Sequence, residues 1–169
     1  MRRIAALTRN PAVLALVMAL AVTGCASKKI PNSAADIGLG GAAGAAKPGT
    51  QQDFTVNVGD RIFFDTDSSV VRADAQQILA RQAQWLNQYP SYAITIEGHA
   101  DERGTREYNL ALGARRAAAA RDYLMSRGVA GNRLRTISYG KERPVAVCDD
   151  ISCWSQNRRA VTLLGGAGS

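Results

Sequence analysis

Long hydrophobic runs, basic blocks and histidine are all scarce in this chain of 169 residues. The apolar run at positions 12–22 has 11 residues, about 17 Å as a helix, so it is too short to span a bilayer core of about 30 Å. Lysine and arginine total 21 against 14 acidic residues but form no block, which argues against nucleic-acid binding. His99 is the only histidine, so a histidine-based catalytic or metal site has one possible member.

The N-terminal segment indicates export and lipidation. Three arginines precede the apolar run, which ends in Val22-Thr23-Gly24-Cys25. A basic start, a short apolar run and a small residue before the cut are typical of a bacterial secretory signal. The last four residues resemble the lipobox of bacterial lipoproteins, which implies removal of residues 1–24 and a diacylglycerol on Cys25. The residues alone also fit an ordinary signal peptide with an incidental cysteine.

The next segment is poor in structural signals. Prolines and glycines interrupt residues 31–49, and alanine-glycine runs fill much of the rest. This composition predicts a flexible linker that follows the lipidated Cys25 and runs to residue 53, a folded domain over 54–164 and a frayed tail at 165–169. The alternative left open is that part of the linker packs as an extra strand or helix.

The predicted domain alternates strands and helices. Phe54, Val56 and Val58 alternate with polar residues and predict a short strand, followed by strands at 61–64, 92–97, 134–139 and 160–164 and helices at 72–89 and 105–127. The predicted core positions of the two helices are Ala75, Ile78, Leu79, Gln82, Trp85, Leu86 and Tyr89, and Leu110, Ala117, Ala120, Tyr123 and Leu124. This order predicts a single α/β sandwich of the α+β type, with helices packed on one face of a mixed four-stranded sheet.

The loop at 98–105 is the strongest candidate for a binding site, because it leaves a strand and leads into the long helix. A helix start presents free backbone N–H groups and the positive end of the helix dipole, which suits an anionic group of a ligand. The same loop places the carboxylate of Asp101 beside that position.

Several motifs in order carry a family resemblance. They are His99-Ala100-Asp101-Glu102-Arg103-Gly104, Tyr108-Asn109, Leu112-Gly113, Arg115-Arg116, Ser138-Tyr139-Gly140 and Asn157-Arg158-Arg159-Ala160. From about Val56 to Leu164 the chain resembles the OmpA-like peptidoglycan-binding domain, and its lipoprotein members most. The resemblance implies non-covalent binding of peptidoglycan at the diaminopimelate of the stem peptide, with the Tol system and its component TolB as partner.

The side chains suit that ligand, because the free end of diaminopimelate carries an ammonium and a carboxylate. Asp101 and Arg116 fit these two groups, and the resemblance assigns both. Asn109 lies seven residues before Arg116 and therefore on the same helix face. With Asp67, Phe64, Ala100 and Leu112, these complete the predicted ligand-binding residues. Alanine at Asp101 or Arg116 is expected to abolish binding and leave the fold intact.

Each of these residues also has an ordinary structural interpretation. Asp101 could serve only the start of the helix, Arg116 could pair with a neighbouring acid, and Asn109 could hold a turn. His99 has no nucleophile or metal partner at a recognisable spacing, which disfavours general-base catalysis.

Cys148 and Cys153 remain once Cys25 is assigned to lipid. They are close in sequence and the predicted compartment is oxidising, so we expect a disulfide between them; two free thiols are the alternative. Their spacing does not resemble that of a zinc site.

The expected function is therefore a non-catalytic anchor that needs no cofactor. Lipid on Cys25 would hold the chain in the outer membrane, with the domain in the periplasm on the cell wall, including during division. Two alternatives are a wall-binding lipoprotein outside the Tol system and an envelope enzyme that acts on peptidoglycan.

Overall fold

The computed structural model describes residues 46–165, which lie in a compact unit, Gly44–Ser169. The predicted signal segment, Cys25, the linker up to residue 45 and residues 166–169 lie outside the described residues. Among the helices within 46–165, none is long and apolar enough to cross a membrane.

The described residues form four helices and four strands. In chain order these are α1 (Gln51–Asp53, continued by a π-helix, Phe54–Gly59), β1 (Arg61–Phe63), α2 (Ala73–Gln88), β2 (Ile94–His99), α3 (Arg106–Ser126), a 3₁₀ turn (Gly131–Arg133), β3 (Leu134–Gly140), α4 (Ile151–Asn157) and β4 (Arg159–Leu164). The sheet has the order β1-β4-β2-β3, in which β2 and β3 are parallel and the other two pairs antiparallel. The predicted mixed four-stranded sheet is confirmed.

The core lies between this sheet and the helices. Helix α2 buries Ala75, Leu79, Ala83 and Leu86, positions three or four residues apart on one face. Helix α3 packs against β2 and β3, and α2 packs against β1. The sheet contributes Ile62, Ile94, Ile96, Leu134, Ala160 and Leu164 to the same buried cluster. Helices therefore cover one face of the sheet, as the sequence predicts.

The long helix α3 begins and ends close to the predicted positions. Thr105 precedes it and its hydroxyl accepts the N–H of Tyr108 at 3.2 Å, which satisfies one of the free N–H groups of the first turn. Gly128, with φ of +90°, follows its end, as helix C-termini often require. Leu110 was expected in the core, but 47% of it is exposed, because it lies on the outer side of the first turns.

Helix α3 and strand β2 approach each other at two glycines. A Cβ atom on Gly98 would lie 1.8 Å from the carbonyl oxygen of Gly113. Only glycine at position 98 permits this approach. The contact holds the first half of α3 tightly against the end of β2, where the Asp101 loop begins.

The predicted strand at Phe54–Val58 is wrong, since these residues are helical. Thr50 caps the segment by accepting the N–H of Asp53 at 3.2 Å, and the Asp53 carboxylate accepts the indole N–H of Trp85 at 2.8 Å. These bonds and the buried Phe54 ring, 5.0 Å from Trp85, fix the segment against α2. The folded unit therefore begins before residue 54, and the last part of the predicted linker belongs to it.

Candidate functional site

A cavity of about 250 Å³ opens where the loops after β1 and β2 meet the first three turns of α3. Its wall consists of Thr66, Asp67, Asp101, Arg103, Gly104, Tyr108, Asn109, Leu112 and Arg116. The wall thus combines acidic, basic and amide side chains with one leucine. Two acidic and two basic side chains among the nine residues of the wall can orient a ligand that carries charged groups.

The Asp101 carboxylate lies in the cavity wall and is held by two arginines. Its Oδ2 accepts Nη2 of Arg103 at 2.7 Å and Nη1 of Arg158 at 3.1 Å, and its Oδ1 accepts Nε of Arg103 at 3.2 Å. Burial alone would raise the pKa of Asp101, but the hydrogen bonds from these guanidinium groups outweigh it and lower the pKa. Asp101 is therefore an anion at neutral pH.

The Arg116 side chain is fully buried at the base of the cavity. Its Nε donates to the carbonyl of Ser68 at 2.8 Å, Nη1 to that of His99 at 2.8 Å and Nη2 to that of Asp65 at 3.0 Å. Burial lowers its pKa to about 10, so it stays charged at neutral pH. A guanidinium has five N–H groups, so two are left after these three bonds.

Asn109 and Asp67 also belong to the cavity wall. The side-chain amide of Asn109 donates to the carbonyl of Arg103 at 2.7 Å, so it holds the loop that carries Asp101 while it lines the cavity. Asp67 has φ of +54°, a left-handed conformation that is uncommon for a residue other than glycine, and its carboxylate accepts the hydroxyl of Tyr108. This bond ties the loop after β1 to α3.

The structure brings five of the seven predicted ligand-binding residues to one cavity: Asp67, Asp101, Asn109, Leu112 and Arg116. It does not bring the other two to the wall. The Phe64 ring lies behind the cavity, 5.2 Å from the guanidinium carbon of Arg116, and Ala100 is buried with its N–H bonded to the carbonyl of Gly140. Ligand contact by any of the seven stays a prediction.

The chain is similar in sequence to peptidoglycan-associated lipoproteins from several bacteria. The profile of the OmpA family matches residues 63–158. Over the full length of both chains it is 80% identical to the peptidoglycan-associated lipoprotein of Mesorhizobium japonicum, and it is 79% identical to that of Rhizobium meliloti over 99% of this chain and 94% of the relative. The chain belongs to the peptidoglycan-associated lipoprotein family. Its folded part carries the family's OmpA domain.

Solved structures agree with this family. A crystal structure of the peptidoglycan-associated lipoprotein from Burkholderia pseudomallei is 44% identical, with a TM-score of 0.61 over 63% of this chain and 90% of that one. The C-terminal domain of Helicobacter pylori MotB is 25% identical, with a TM-score of 0.60 over 63% of this chain and 84% of that one. The likeness to both supports the OmpA-like sandwich described above.

The predicted disulfide is present in this member of the family: Cys148 and Cys153 are bonded, with their Cα atoms 5.7 Å apart. The bridge closes the loop that leads into α4, which carries Trp154. The indole N–H of Trp154 donates to Glu102, and the guanidinium carbon of Arg103 lies 4.1 Å from the Trp154 ring. The disulfide-closed segment therefore contacts the loop that carries Asp101.

The sequence did not indicate that Arg103 pairs with Asp101 or that Trp154 contacts the Asp101 loop. Arg103 lies within the motif that identified Asp101, but its spacing gives no sign that it pairs with that carboxylate. Trp154 meets Glu102 only through the tertiary fold. Asn157 holds the loop before α4, because its Oδ1 accepts the N–H groups of Val145 and Ala146.

His99 does not line the cavity. Its ring is buried and stacks on Tyr139, with centroids 5.7 Å apart, and neither ring nitrogen has a hydrogen bond. Burial, together with the charges of Arg159 and Arg143, lowers its pKa to about 4. Within residues 46–165, no three histidine, cysteine or acidic side chains are placed to hold a metal ion.

Proposed function

We propose that this chain binds peptidoglycan without covalent chemistry, by gripping the free end of diaminopimelate in the stem peptide. The observation that carries the proposal is the meeting of the Asp101 carboxylate and the Arg116 guanidinium at one cavity of about 250 Å³. A ligand terminus that bears both an ammonium and a carboxylate matches these two charges. The names of the relatives, which describe association with peptidoglycan, support the same ligand.

Arg116 is suited to read the carboxylate. Its three carbonyl contacts hold the guanidinium plane in place, so its two remaining N–H groups are oriented before the ligand arrives. A fixed guanidinium can bond both oxygens of a carboxylate, which is a geometrically selective contact. Lysine, the alternative stem-peptide residue, lacks this second carboxylate, so the site would favour diaminopimelate.

The size of the cavity supports recognition of a terminus and not of a whole peptide. About 250 Å³ is below the roughly 300 to 1,000 Å³ of pockets for drug-sized ligands. The Leu112 side chain would contact the methylene chain of the ligand, while Asn109 and Gly104 hold the rim. The remainder of the stem peptide and the glycan would lie outside.

The proposal extends to the location of the chain. Cys25 would carry the lipid that holds the protein in the outer membrane, and residues 26–45 would connect that anchor to the folded domain on the cell wall. Stable attachment needs more than one acyl chain, as the lipobox resemblance implies. Through the same resemblance we propose a role in the Tol-Pal system with TolB, in which the outer membrane is held to the wall during growth and division.

The test is calorimetric titration of the unit Gly44–Ser169 with a stem peptide that contains diaminopimelate and with one that contains lysine. The first should bind and the second should bind at least about tenfold more weakly. Asp101→Asn keeps the side-chain shape but removes the charge, and should weaken binding on the order of 30-fold or more, because a desolvated charge pair is lost. Asp122→Asn, an exposed acid elsewhere on α3, is the matched control and should bind as the wild type does.

Two further results would contradict parts of the proposal. Release of muropeptides from purified sacculi would indicate an enzyme, whereas the proposal predicts co-sedimentation with sacculi and no release. Failure of the full-length lipoprotein to co-purify with TolB would leave wall binding but remove the Tol-Pal role.

A further inference from the structure

The Asp101 carboxylate has no free acceptor position in this structure. Besides the three guanidinium contacts described above, its Oδ1 accepts the backbone N–H of Arg103 at 3.3 Å. A carboxylate offers about four lone-pair positions, and all four have donors. If diaminopimelate presents an ammonium to Asp101, as the proposed function requires, then one present donor must leave.

The structure indicates which donor can leave. The Arg158 side chain is only 7% exposed and also donates through Nε to the carbonyl of Phe64 at 3.1 Å. Its removal would leave that carbonyl and a buried charge unpaired, which is costly. The Arg103 side chain is 40% exposed and lies in the cavity wall. It can move into solvent without leaving a buried group unsatisfied.

Arg103 has a second contact besides the Asp101 carboxylate. Its guanidinium carbon already lies 4.1 Å from the Trp154 ring, and the Trp154 indole N–H is bonded to Glu102. An aromatic face attracts a guanidinium, and the Glu102 carboxylate on the same ring edge adds a negative charge. The side chain can therefore release Asp101 and keep its position on Trp154.

We propose that Arg103 is an internal competitor for the ammonium position. It occupies Asp101 in the free protein, and when the ligand binds it releases Asp101 and keeps only its contact with Trp154. Arg103 thus lowers the affinity for every ligand that offers an ammonium. A ligand whose only charged group is an ammonium replaces one cation on Asp101 with another and therefore gains little binding free energy. A ligand that also carries a carboxylate gains the contact with Arg116 in addition, so only a zwitterionic terminus is retained.

The proposal predicts that removal of the Arg103 side chain increases the affinity for the ligand. Arg103→Ala should tighten binding of the diaminopimelate stem peptide by about fivefold, the size of a partly exposed ion pair. A purely structural role of Arg103 in orienting Asp101 predicts the opposite sign. Arg103→Lys retains a competing cation and should bind close to wild type. Arg106→Ala, which removes an equally charged and more exposed arginine, is the control for general electrostatic attraction and should not tighten binding.

A ligand whose amine is blocked tests whether the effect of Arg103 depends on the ammonium group. A stem peptide acetylated on the free amine of diaminopimelate has no cation to place on Asp101. Its affinity should therefore not be increased by Arg103→Ala. In nuclear magnetic resonance spectra of the wild type, the Nε–H signal of Arg103 should shift on addition of the free-amine peptide, while that of Arg158 moves less.

The possible outcomes separate this inference from the proposed function. If the wild type binds the peptide, Asp101→Asn weakens binding and Arg103→Ala also weakens it, then the proposed function holds and the competitor role is wrong. If the wild type does not bind the peptide, both are wrong. Thermal melting of the Arg103 variants should match the wild type within about 2 °C, since exposed substitutions rarely change stability by more than about 0.5 kcal/mol.

Discussion

Substitution of Arg116 by alanine should damage the fold as well as the site. The sequence alone predicts that Arg116→Ala abolishes binding and leaves the fold intact. In the structure the side chain is fully buried and bonds three backbone carbonyls, two in the loop after β1 and one on the last residue of β2. It therefore joins the loop after β1 to the end of β2, in addition to facing the cavity.

The size of the effect can be worked out from these three contacts. The carbonyl of His99 is buried together with its donor, whereas those of Ser68 and Asp65 are in part accessible. An unsatisfied buried carbonyl costs about 1–3 kcal/mol, and water can replace part of the other two bonds. Some of the loss is offset because a buried charge disappears, so we expect a net loss of about 3 kcal/mol. Out of a typical total of 5–15 kcal/mol, that would lower the melting temperature by roughly 10 °C.

Urea denaturation of the unit Gly44–Ser169, followed by circular dichroism, measures this loss. Arg115→Ala is the matched control, because it removes the same side chain and charge from the next position, where it is exposed, and it should change stability by less than about 0.5 kcal/mol. Arg116→Lys keeps the charge but cannot span three carbonyls and should fall between the two. If Arg116→Ala proved as stable as Arg115→Ala, the three contacts would not support the fold and the reasoning would be refuted.

Two other predictions concern groups outside the cavity. Because burial lowers the pKa of His99 from 6.5 to about 4, the unfolded chain binds a proton in this interval that the folded protein excludes; the free energy of unfolding should therefore fall by up to about 3 kcal/mol as the pH drops from 6.5 to 4. His99→Gln should flatten this slope in urea titrations, and an unchanged slope would assign it to other groups. Gly98→Ala should cost about 2 kcal/mol or more, because its Cβ would lie 1.8 Å from the Gly113 carbonyl oxygen, and should weaken peptide binding as α3 moves away from the Asp101 loop. A wild-type melting temperature in this variant would contradict the close approach.

The elements that could be predicted from sequence are those with a local signal. Helix α2 repeats apolar residues three or four positions apart on one face, and Thr105 and Gly128 mark the ends of α3. The strand prediction for the segment after Asp53 was wrong because three apolar residues at every second position fit either a strand or a helix. In the helix Phe54 and Val58 share a face while Val56 is 62% exposed. The contacts that decide between them come from Trp85, more than thirty positions away.

The same distinction applies to the site. Asp101 and Arg116 could be placed together because the family resemblance assigns both, and because Asp101 lies in the loop after β2 while Arg116 lies on the helix that follows. The pairing of Arg103 with Asp101 depends on the exact turn between them, for which the residue types give no rule. The contact of Trp154 with Arg103 joins residues about fifty positions apart. Such contacts follow from the tertiary fold and not from a local pattern.

The charges around the cavity give a reason for an internal cation. With Arg103 in place, three guanidinium groups, those of Arg103, Arg116 and Arg158, face the carboxylates of Asp67 and Asp101. If Arg103 releases Asp101 and turns toward solvent while it keeps its contact with Trp154, two cations and two anions remain around the cavity. A zwitterionic terminus adds one charge of each sign and keeps this balance, whereas a lone amine or a lone carboxylate would leave an excess of one sign. The displacement of Arg103 therefore adapts the cavity to a ligand of zero net charge, which favours the terminus of diaminopimelate over singly charged groups.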